Sequence, residues 1–303
     1  MKYYNDFREL IGNTPMVKLN NIGFPGGINL FAKMEMLNPG GSIKDRIGIA
    51  MIEDAEKSGK LKRGGTIIEV TAGNTGIGLA LGAVGKGYRV IFVVPTKFSQ
   101  EKQNVMRILG AEIINTPKEL GMAAAFRKAE ELAKEIPGAF YATQFTNPAN
   151  PDAHFRTTGV EIYNDLDGKI DYFLTGAGSG GVISGVAKYL KSKNRNIKVA
   201  LVDPVGSTLG GGEDSPYRIE GIGNNFMPKT LDMSLIDDII KISDDEAFAE
   251  VKQLAKKEGI LAGSSSGAAL AGARKLAEKV KIGNFAVIFS DSGERYLSKN
   301  IFD

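Results

Sequence analysis

The 303-residue chain has no cysteine and a single histidine, His154. Without cysteine there can be no disulfide, no thiolate nucleophile and no cysteine-ligated metal, and the composition suits a reducing, cytoplasmic setting. A Ser-His-Asp triad would have to use His154, and zinc usually takes more than one imidazole or thiolate. His154 lies in NPDAHFRTTG, at the expected entry to a helix, where a packing or capping role is the plainer reading. No apolar run approaches the ~20 residues of a membrane-spanning helix. The start, MKYYNDFREL, has no apolar h-region of a secretory signal. Excess charge is also missing: the formal net charge is +3, too small to suggest a nucleic-acid partner. Basic and acidic residues interleave, as in EDAEKSGKLKRG, which reads as solvated helix faces.

What is present is an alternation of short apolar runs and amphipathic segments. TIIEV (66–70), RVIFVV (89–94), AEIINT (111–116), DYFLT (171–175), KVALVD (198–203) and NFAVIFS (284–290) read as strands. GIGLALGAVGKG, SQEKQNVMRILG, MAAAFRKAEELAKEI, GVISGVAKYLKSK, DEAFAEVKQLAKKEG and SGAALAGARKLAEKV read as helices. Strands rich in Val and Ile, each followed by a helix, predict parallel sheets covered on both faces. FTNPANPD (145–152) interrupts the pattern and is expected to be a loop and a lobe boundary. The glycine-rich stretch 206–228 reads as a long functional loop.

Three loops carry chemistry. TGAGSGGVISG (175–185) follows a strand and opens a helix, so its N–H groups suit an anion such as phosphate. EVTAGNTGIG (69–78) lies in the same kind of junction and could hold a carboxylate; the plainer alternative is an N-cap built from Asn and Thr. GSSSGAAL (263–270) has more hydroxyls than one N-cap requires. A lysine, Lys44, follows the glycine turn of NPGGSIKDRIG (38–48), where a helix-like pattern begins. An amine beside a phosphate cradle and a hydroxyl cluster suggests a Schiff base to pyridoxal phosphate. A rival remains at this level. Gly176, Gly178 and Gly181 spell G-x-G-x-x-G, and Asp203 ends the next strand, as in a nicotinamide-dependent oxidoreductase.

IGNTPMVKL (11–19), NPGGSIKDR (38–46), TAGNTGIG (71–78), GAGSGGVISG (176–185), EGIG (220–223), GSSSGAAL (263–270) and SGERY (292–296) occur in order along nearly the whole chain. With them the chain resembles the cysteine synthase/cystathionine β-synthase family of pyridoxal-phosphate enzymes. The resemblance implies an α/β fold of two lobes, each a mostly parallel twisted sheet covered by helices, as in the tryptophan-synthase-β-like fold. It implies a smaller, mobile substrate-binding lobe over 39–150, and a larger cofactor-phosphate-binding lobe from 1–38 and 151–303.

By the same resemblance Lys44 would hold the cofactor aldehyde. Ser42, two residues earlier, is expected to assist proton transfer. Asn74 would bond the ring hydroxyl. Gly178, Ser179, Gly180, Gly181 and Val182 would cradle the phosphate. Ser265 would face the pyridine nitrogen, and a serine there should leave that nitrogen unprotonated and favour β-chemistry. Thr71, Ala72, Gly73, Thr75 and Gln144 would take the substrate carboxylate, and Gly221, Asn224 and Asn225 would line the substrate loop. The implied reaction is β-replacement or β-elimination on O-acetylserine, serine or cysteine, through an aminoacrylate, with sulfide or a thiol as nucleophile. Val182 stands where the family often has threonine, and Ala72 where it often has serine. Asn224 and Asn225 replace the small residues usual in cysteine synthases, and DPVGS (203–207) looks like the cystathionine-forming branch. Cystathionine, lanthionine and hydrogen sulfide therefore all stay open as products. Small amino acids and thiols or sulfide are the expected partners, with no membrane or nucleic acid, in a homodimer without haem or effector response. The remaining alternative, a non-catalytic relative, conflicts with intact Lys44, Asn74 and Ser265.

Overall fold

In the computed structural model every residue of TIIEV is buried, as are the last six of RVIFVVP. Apolar side chains on both faces require cover on both faces, which parallel sheets obtain from helices. The structure describes residues 1, 3–71, 73–96, 98–299, 301 and 302. In chain order the strands are β1 (Met16–Lys18), β2 (Ile28–Met34), β3 (Thr66–Val70), β4 (Arg89–Pro95), β5 (Glu112–Thr116), β6 (Phe140–Tyr141), β7 (Tyr172–Gly176), β8 (Lys198–Pro204), β9 (Asp238–Ile242) and β10 (Gly283–Phe289). The α-helices are α1 (Lys44–Lys57), α2 (Asn74–Ala83), α3 (Gln100–Ile108), α4 (Gly121–Glu135), α5 (Ala149–Arg156), α6 (Thr158–Asp165), α7 (Gly181–Lys193), α8 (Asp244–Gln253) and α9 (Ser264–Lys279).

The chain forms two compact units. One holds residues up to Ile11 and Asn38–Asn150; the other holds Gly12–Leu37 and the chain from Pro151 onward. The first eleven residues thus cluster with the smaller unit, whereas the sequence groups all of 1–38 with the larger. Arg8 gives the reason: its guanidinium donates to the carbonyls of Gly82 (3.3 Å) and Val84 (3.1 Å) at the end of α2. FTNPANPD is also not all loop, since α5 opens at Ala149. Pro151 falls in its first turn, where a missing N–H breaks no helical bond.

The smaller unit has a four-stranded sheet in the order β5-β4-β3-β6, with every pair parallel. Ile47, Met51 and Ile52 of α1 are fully buried. Helices α1 and α2 meet so closely that a Cβ on Gly48 would collide with the Gly78 backbone, and one on Gly78 with the Lys44 carbonyl. The first turn of α1 is thereby set against α2.

The larger unit has a six-stranded sheet in the order β1-β2-β10-β7-β8-β9. Only the β1/β2 pair is antiparallel. Phe285, Val287 and Phe289 of β10 are fully buried, each contributing about 1.5–3 kcal/mol of transfer free energy. Helix α8 opens with a capping box between Ser243 and Glu246. The helix expected through Gly259 stops at Gln253, and a wider π-turn, Leu254–Glu258, ends on left-handed Gly259.

Candidate active site

In the smaller unit, Asn38–Gly41 forms a turn closed by the Gly41 N–H on the Asn38 carbonyl (2.7 Å). Asp45, fully buried in the first turn of α1, accepts from the Gly40 N–H at 2.5 Å. That bond pins the glycine turn to the helix that begins at Lys44. Ser42 is fully buried, and its Oγ accepts from the Lys44 N–H at 3.3 Å. Lys44 itself is half-buried.

The second loop lies between β3 and α2. Asn74 does not cap α2 but is its first residue, and the N-cap is Gly73, which supplies no side chain. Thr71 takes over part of that task, accepting from the N–H groups of Gly73 (3.3 Å) and Gly76 (3.2 Å). The Thr75 hydroxyl donates to Gln144 Oε1 at 2.8 Å, so two residues far apart in sequence meet. Ala72 lies outside the described residues.

Sequence reasoning missed the residue that holds Gln144. Glu69, at the end of β3, is fully buried. It accepts from the Val70 N–H (2.9 Å) and from the Gln144 N–H (3.1 Å). Burial pushes its carboxyl from an ordinary 4.5 up to about 8, against the pull of the backbone donors of Gln144, Val70 and Thr143. Asn150 adds a second clamp, donating to the Gln144 carbonyl at 2.8 Å.

In the larger unit the glycine loop joins β7 to α7. Its N-cap is Gly180, left-handed at φ +85° and without a side-chain cap. Backbone N–H groups of the first turn find no intrahelical partner, and there the helix dipole favours an anion. A Cβ on Gly178 would collide with the Gly221 carbonyl, so the loop and the EGIG turn lie against each other. Ser179 and Gly181 are buried, and Val182 is half-buried.

The three serines divide their work. Helix α9 is capped by Gly263, not by a serine. The Ser264 hydroxyl accepts from the Glu220 N–H (3.0 Å), and that of Ser266 from the Ser290 N–H (3.1 Å). Ser265 is 5% exposed, and among the described residues its hydroxyl bonds to no protein group. Ser264 and Ser266 are thus each committed to a backbone N–H.

The residues of the expected substrate loop differ in their bonding. The Asn224 side-chain amide donates to the Gly178 carbonyl at 2.6 Å, so it is spent on the glycine loop. Exposed Asn225 donates to Asp214 at 3.2 Å. Gly221 is exposed at φ +86°. His154 is fully buried, with Nδ1 2.9 Å from the Thr158 hydroxyl.

The dinucleotide alternative loses its acid. Asp203 is fully buried. Its carboxylate pairs with Lys241 Nζ at 2.6 Å and accepts from the Gly210 N–H at 2.9 Å. It anchors the 206–212 turn and is not open to a ribose. No group of described residues could hold a metal, and no helix among them is long and apolar enough to cross a membrane.

Known proteins are similar to this chain in sequence and fold. The family model described as pyridoxal-phosphate dependent enzyme matches residues 7–291. The chain is 50% identical to an O-acetylserine dependent cystathionine beta-synthase of Bacillus subtilis (strain 168), over 100% of this chain and 99% of that one. The crystal structure of an O-acetylserine dependent cystathionine beta-synthase from Helicobacter pylori superposes with a TM-score of 0.95 at 45% identity, covering all of both chains. That of a hydrogen sulfide-producing enzyme from Fusobacterium nucleatum gives 0.92 at 45% identity, over 97% of this chain and 100% of that one. None of these comparisons supports a nicotinamide-dependent oxidoreductase.

Proposed function

Because the chain belongs to the pyridoxal-phosphate dependent enzyme family, we propose that it replaces the β-substituent of O-acetylserine with a thiol larger than sulfide, homocysteine first among them. The observation that carries the choice of substrates is the 50% identity, end to end, with an O-acetylserine dependent cystathionine beta-synthase. A second reading has an observation of its own: the fold and 45% identity shared with a hydrogen sulfide-producing enzyme favour cysteine as first substrate.

The residues fit the cofactor. The glycine loop at an uncapped helix start suits a phosphate. The uncommitted Ser265 hydroxyl, buried between two committed ones, suits the pyridine nitrogen. In this reading Gly178–Val182 hold the phosphate by their N–H groups, Asn74 bonds the ring hydroxyl, and Lys44 holds the aldehyde carbon. Bound there, pyridoxal phosphate supplies an electron sink that acidifies the amino acid's Cα–H and lets a group leave Cβ.

The protein's own residues do the rest. Thr71, Gly73, Thr75 and Gln144 orient the substrate carboxylate, with the Thr75–Gln144 bond fixing both side chains. Lys44 Nζ would take the proton from Cα once the substrate's own amine has replaced it on the aldehyde carbon, a task for an amine of suitable basicity, and buried Ser42 would assist that transfer. Gly221 and Asn225 line the approach of the thiol. A serine rather than a carboxylate at 265 leaves the pyridine nitrogen unprotonated, which favours β-chemistry over transamination. The same reading takes the protein to be a homodimer, as the family resemblance implies, and cytoplasmic, as its composition suggests.

The test is a product matrix. O-acetylserine, serine and cysteine are each supplied with sulfide, homocysteine, cysteine or water, and products are identified by mass. Cystathionine from O-acetylserine and homocysteine as the fastest pair supports the proposal. Hydrogen sulfide release from cysteine outrunning every other pair moves the assignment to the second reading, and no product from any pair overturns both.

A further inference from the structure

Three successive carbonyls of the glycine loop are claimed by one other segment. The Ala177 carbonyl accepts from the Gly223 N–H at 2.8 Å. The Gly178 carbonyl accepts from the Asn224 side-chain amide at 2.6 Å. The Ser179 carbonyl accepts a short hydrogen bond from the Thr230 hydroxyl. In a trans peptide the C=O of one residue and the N–H of the next point to opposite sides. Holding carbonyls 177, 178 and 179 on one side therefore turns the N–H groups of Gly178, Ser179 and Gly180 to the other. Successive N–H groups held in one direction make an anion nest.

Asn224 is well placed to act as a rivet, because its own backbone is fixed independently. Its N–H donates to the Ser207 hydroxyl (3.0 Å), and its carbonyl accepts from the Ser207 hydroxyl (3.0 Å) and the Thr208 N–H (2.8 Å). Ser207 lies three residues past the end of β8, in the turn that Asp203 anchors through Gly210. From this fixed point the Asn224 side-chain amide reaches the Gly178 carbonyl.

We propose that Asn224, with Thr230, is a positioning residue of the phosphate cradle and not a substrate-binding residue, and that it couples the order of the 206–228 loop to cofactor binding. The inference rests on the reading that the cofactor's phosphate sits on Gly178–Val182. Coupling of this kind is reciprocal: what the loop does for phosphate affinity, phosphate does for the loop.

The experiment strips the protein of cofactor and titrates it with pyridoxal phosphate and, separately, with pyridoxal, which lacks the phosphate. In Asn224→Ala the dissociation constant for pyridoxal phosphate should rise about tenfold, the loss of one good hydrogen bond's worth of orientation. That for pyridoxal should not change. Asn224→Asp, nearly isosteric, should lose more, because a carboxylate would face the Gly178 carbonyl. Thr230→Val should follow Asn224→Ala in direction. The phosphorus-31 resonance of the bound cofactor should move in each variant. In the wild type, hydrogen exchange of the 206–212 amides should slow on adding pyridoxal phosphate and not on adding pyridoxal; this arm needs no variant to fold. Variants that bind pyridoxal phosphate as tightly as wild type, equal weakening toward both compounds, or exchange that ignores the phosphate each overturn the inference alone. A wild type that takes up neither compound overturns the functional reading, and this inference falls with it.

Discussion

At the residue scale, neighbouring serines on one helix turn differ in what they bond to. Ser266 is fully buried and satisfies the Ser290 N–H. Removing its hydroxyl strands a backbone donor, which costs about 1–3 kcal/mol. Among the described residues the Ser265 hydroxyl satisfies no protein group. Ser265→Ala should therefore leave the thermal midpoint of the cofactor-free protein where it is, yet weaken pyridoxal phosphate binding about fivefold, the worth of one ordinary hydrogen bond. Ser266→Ala should lower the midpoint by several degrees. Calorimetry and an absorbance titration on the two variants check the pair. A cofactor-free Ser265→Ala protein destabilised as much as Ser266→Ala would mean that the middle hydroxyl is structural after all. Lys44 offers a second test at this scale. The purified protein should be yellow, and Lys44→Ala should lose the visible band of the lysine-bound cofactor; a variant that keeps the band would place the attachment elsewhere.

At the element scale, β3 ends in a titrating clamp. Glu69 is an ordinary carboxylate in the unfolded chain, but in the fold its carboxyl is pushed up to about 8 by burial. Between about pH 4.5 and 8 the folded protein holds a proton that the unfolded chain has released. Folding is then proton-linked, and stability must fall as pH rises through that window. Glu69→Gln is neutral at every pH and loses only this slope, plus a constant offset from the altered hydrogen bonds to Val70 and Gln144. The advantage of wild type over Glu69→Gln should shrink between pH 5 and 8.5 by up to a few kcal/mol, read as converging thermal midpoints. Midpoints that stay parallel or diverge with pH would show that Glu69 is ionised in the fold.

The same strand shows what could be read in advance. TIIEV is legible as a strand because its apolar residues run unbroken, and the loops after β3 and β7 are legible because glycine, serine and threonine cluster at strand ends. Strand β2 was not, since INLFAKM carries Lys33. That lysine is fully buried, but it is paired with Glu161 (3.0 Å) and Asp165 (2.7 Å) from α6. A buried charge needs its partners, and those partners are invisible until the chain is folded. Glu69 and Thr230 escaped for the same reason. Glu69 reads as one polar residue in a strand, and its partner Gln144 is 75 positions away. Asn224 reads from the sequence as a substrate-loop residue, because the carbonyl it holds carries no sequence signal.

At the scale of the whole molecule, the missing cysteines meet the proposed chemistry. An enzyme that handles sulfide, cysteine or homocysteine works among thiols and disulfides. A cysteine thiolate of its own would be open to exchange with those compounds and to stepwise oxidation. This chain has no cysteine at all, so neither reaction has a site on it. Treating the holoenzyme with N-ethylmaleimide, with cystine, or with sulfide and mild peroxide should leave turnover unchanged. The intact mass should show no mixed disulfide, persulfide or thioether adduct, and the oxidation seen should be confined to its nine methionines. Reducing agents should likewise neither activate nor inhibit beyond their own action as competing thiols. Loss of activity to maleimide would point to a reactive amine in the site other than Lys44, whose nitrogen the cofactor occupies in the resting holoenzyme. Bound substrate amino acid should then protect it, because the occupied site leaves no room for the reagent. Inactivation that substrate does not slow would place a sensitive nucleophile outside the residues assigned to catalysis, and with it overturn the claim that this molecule is inert to the compounds it processes.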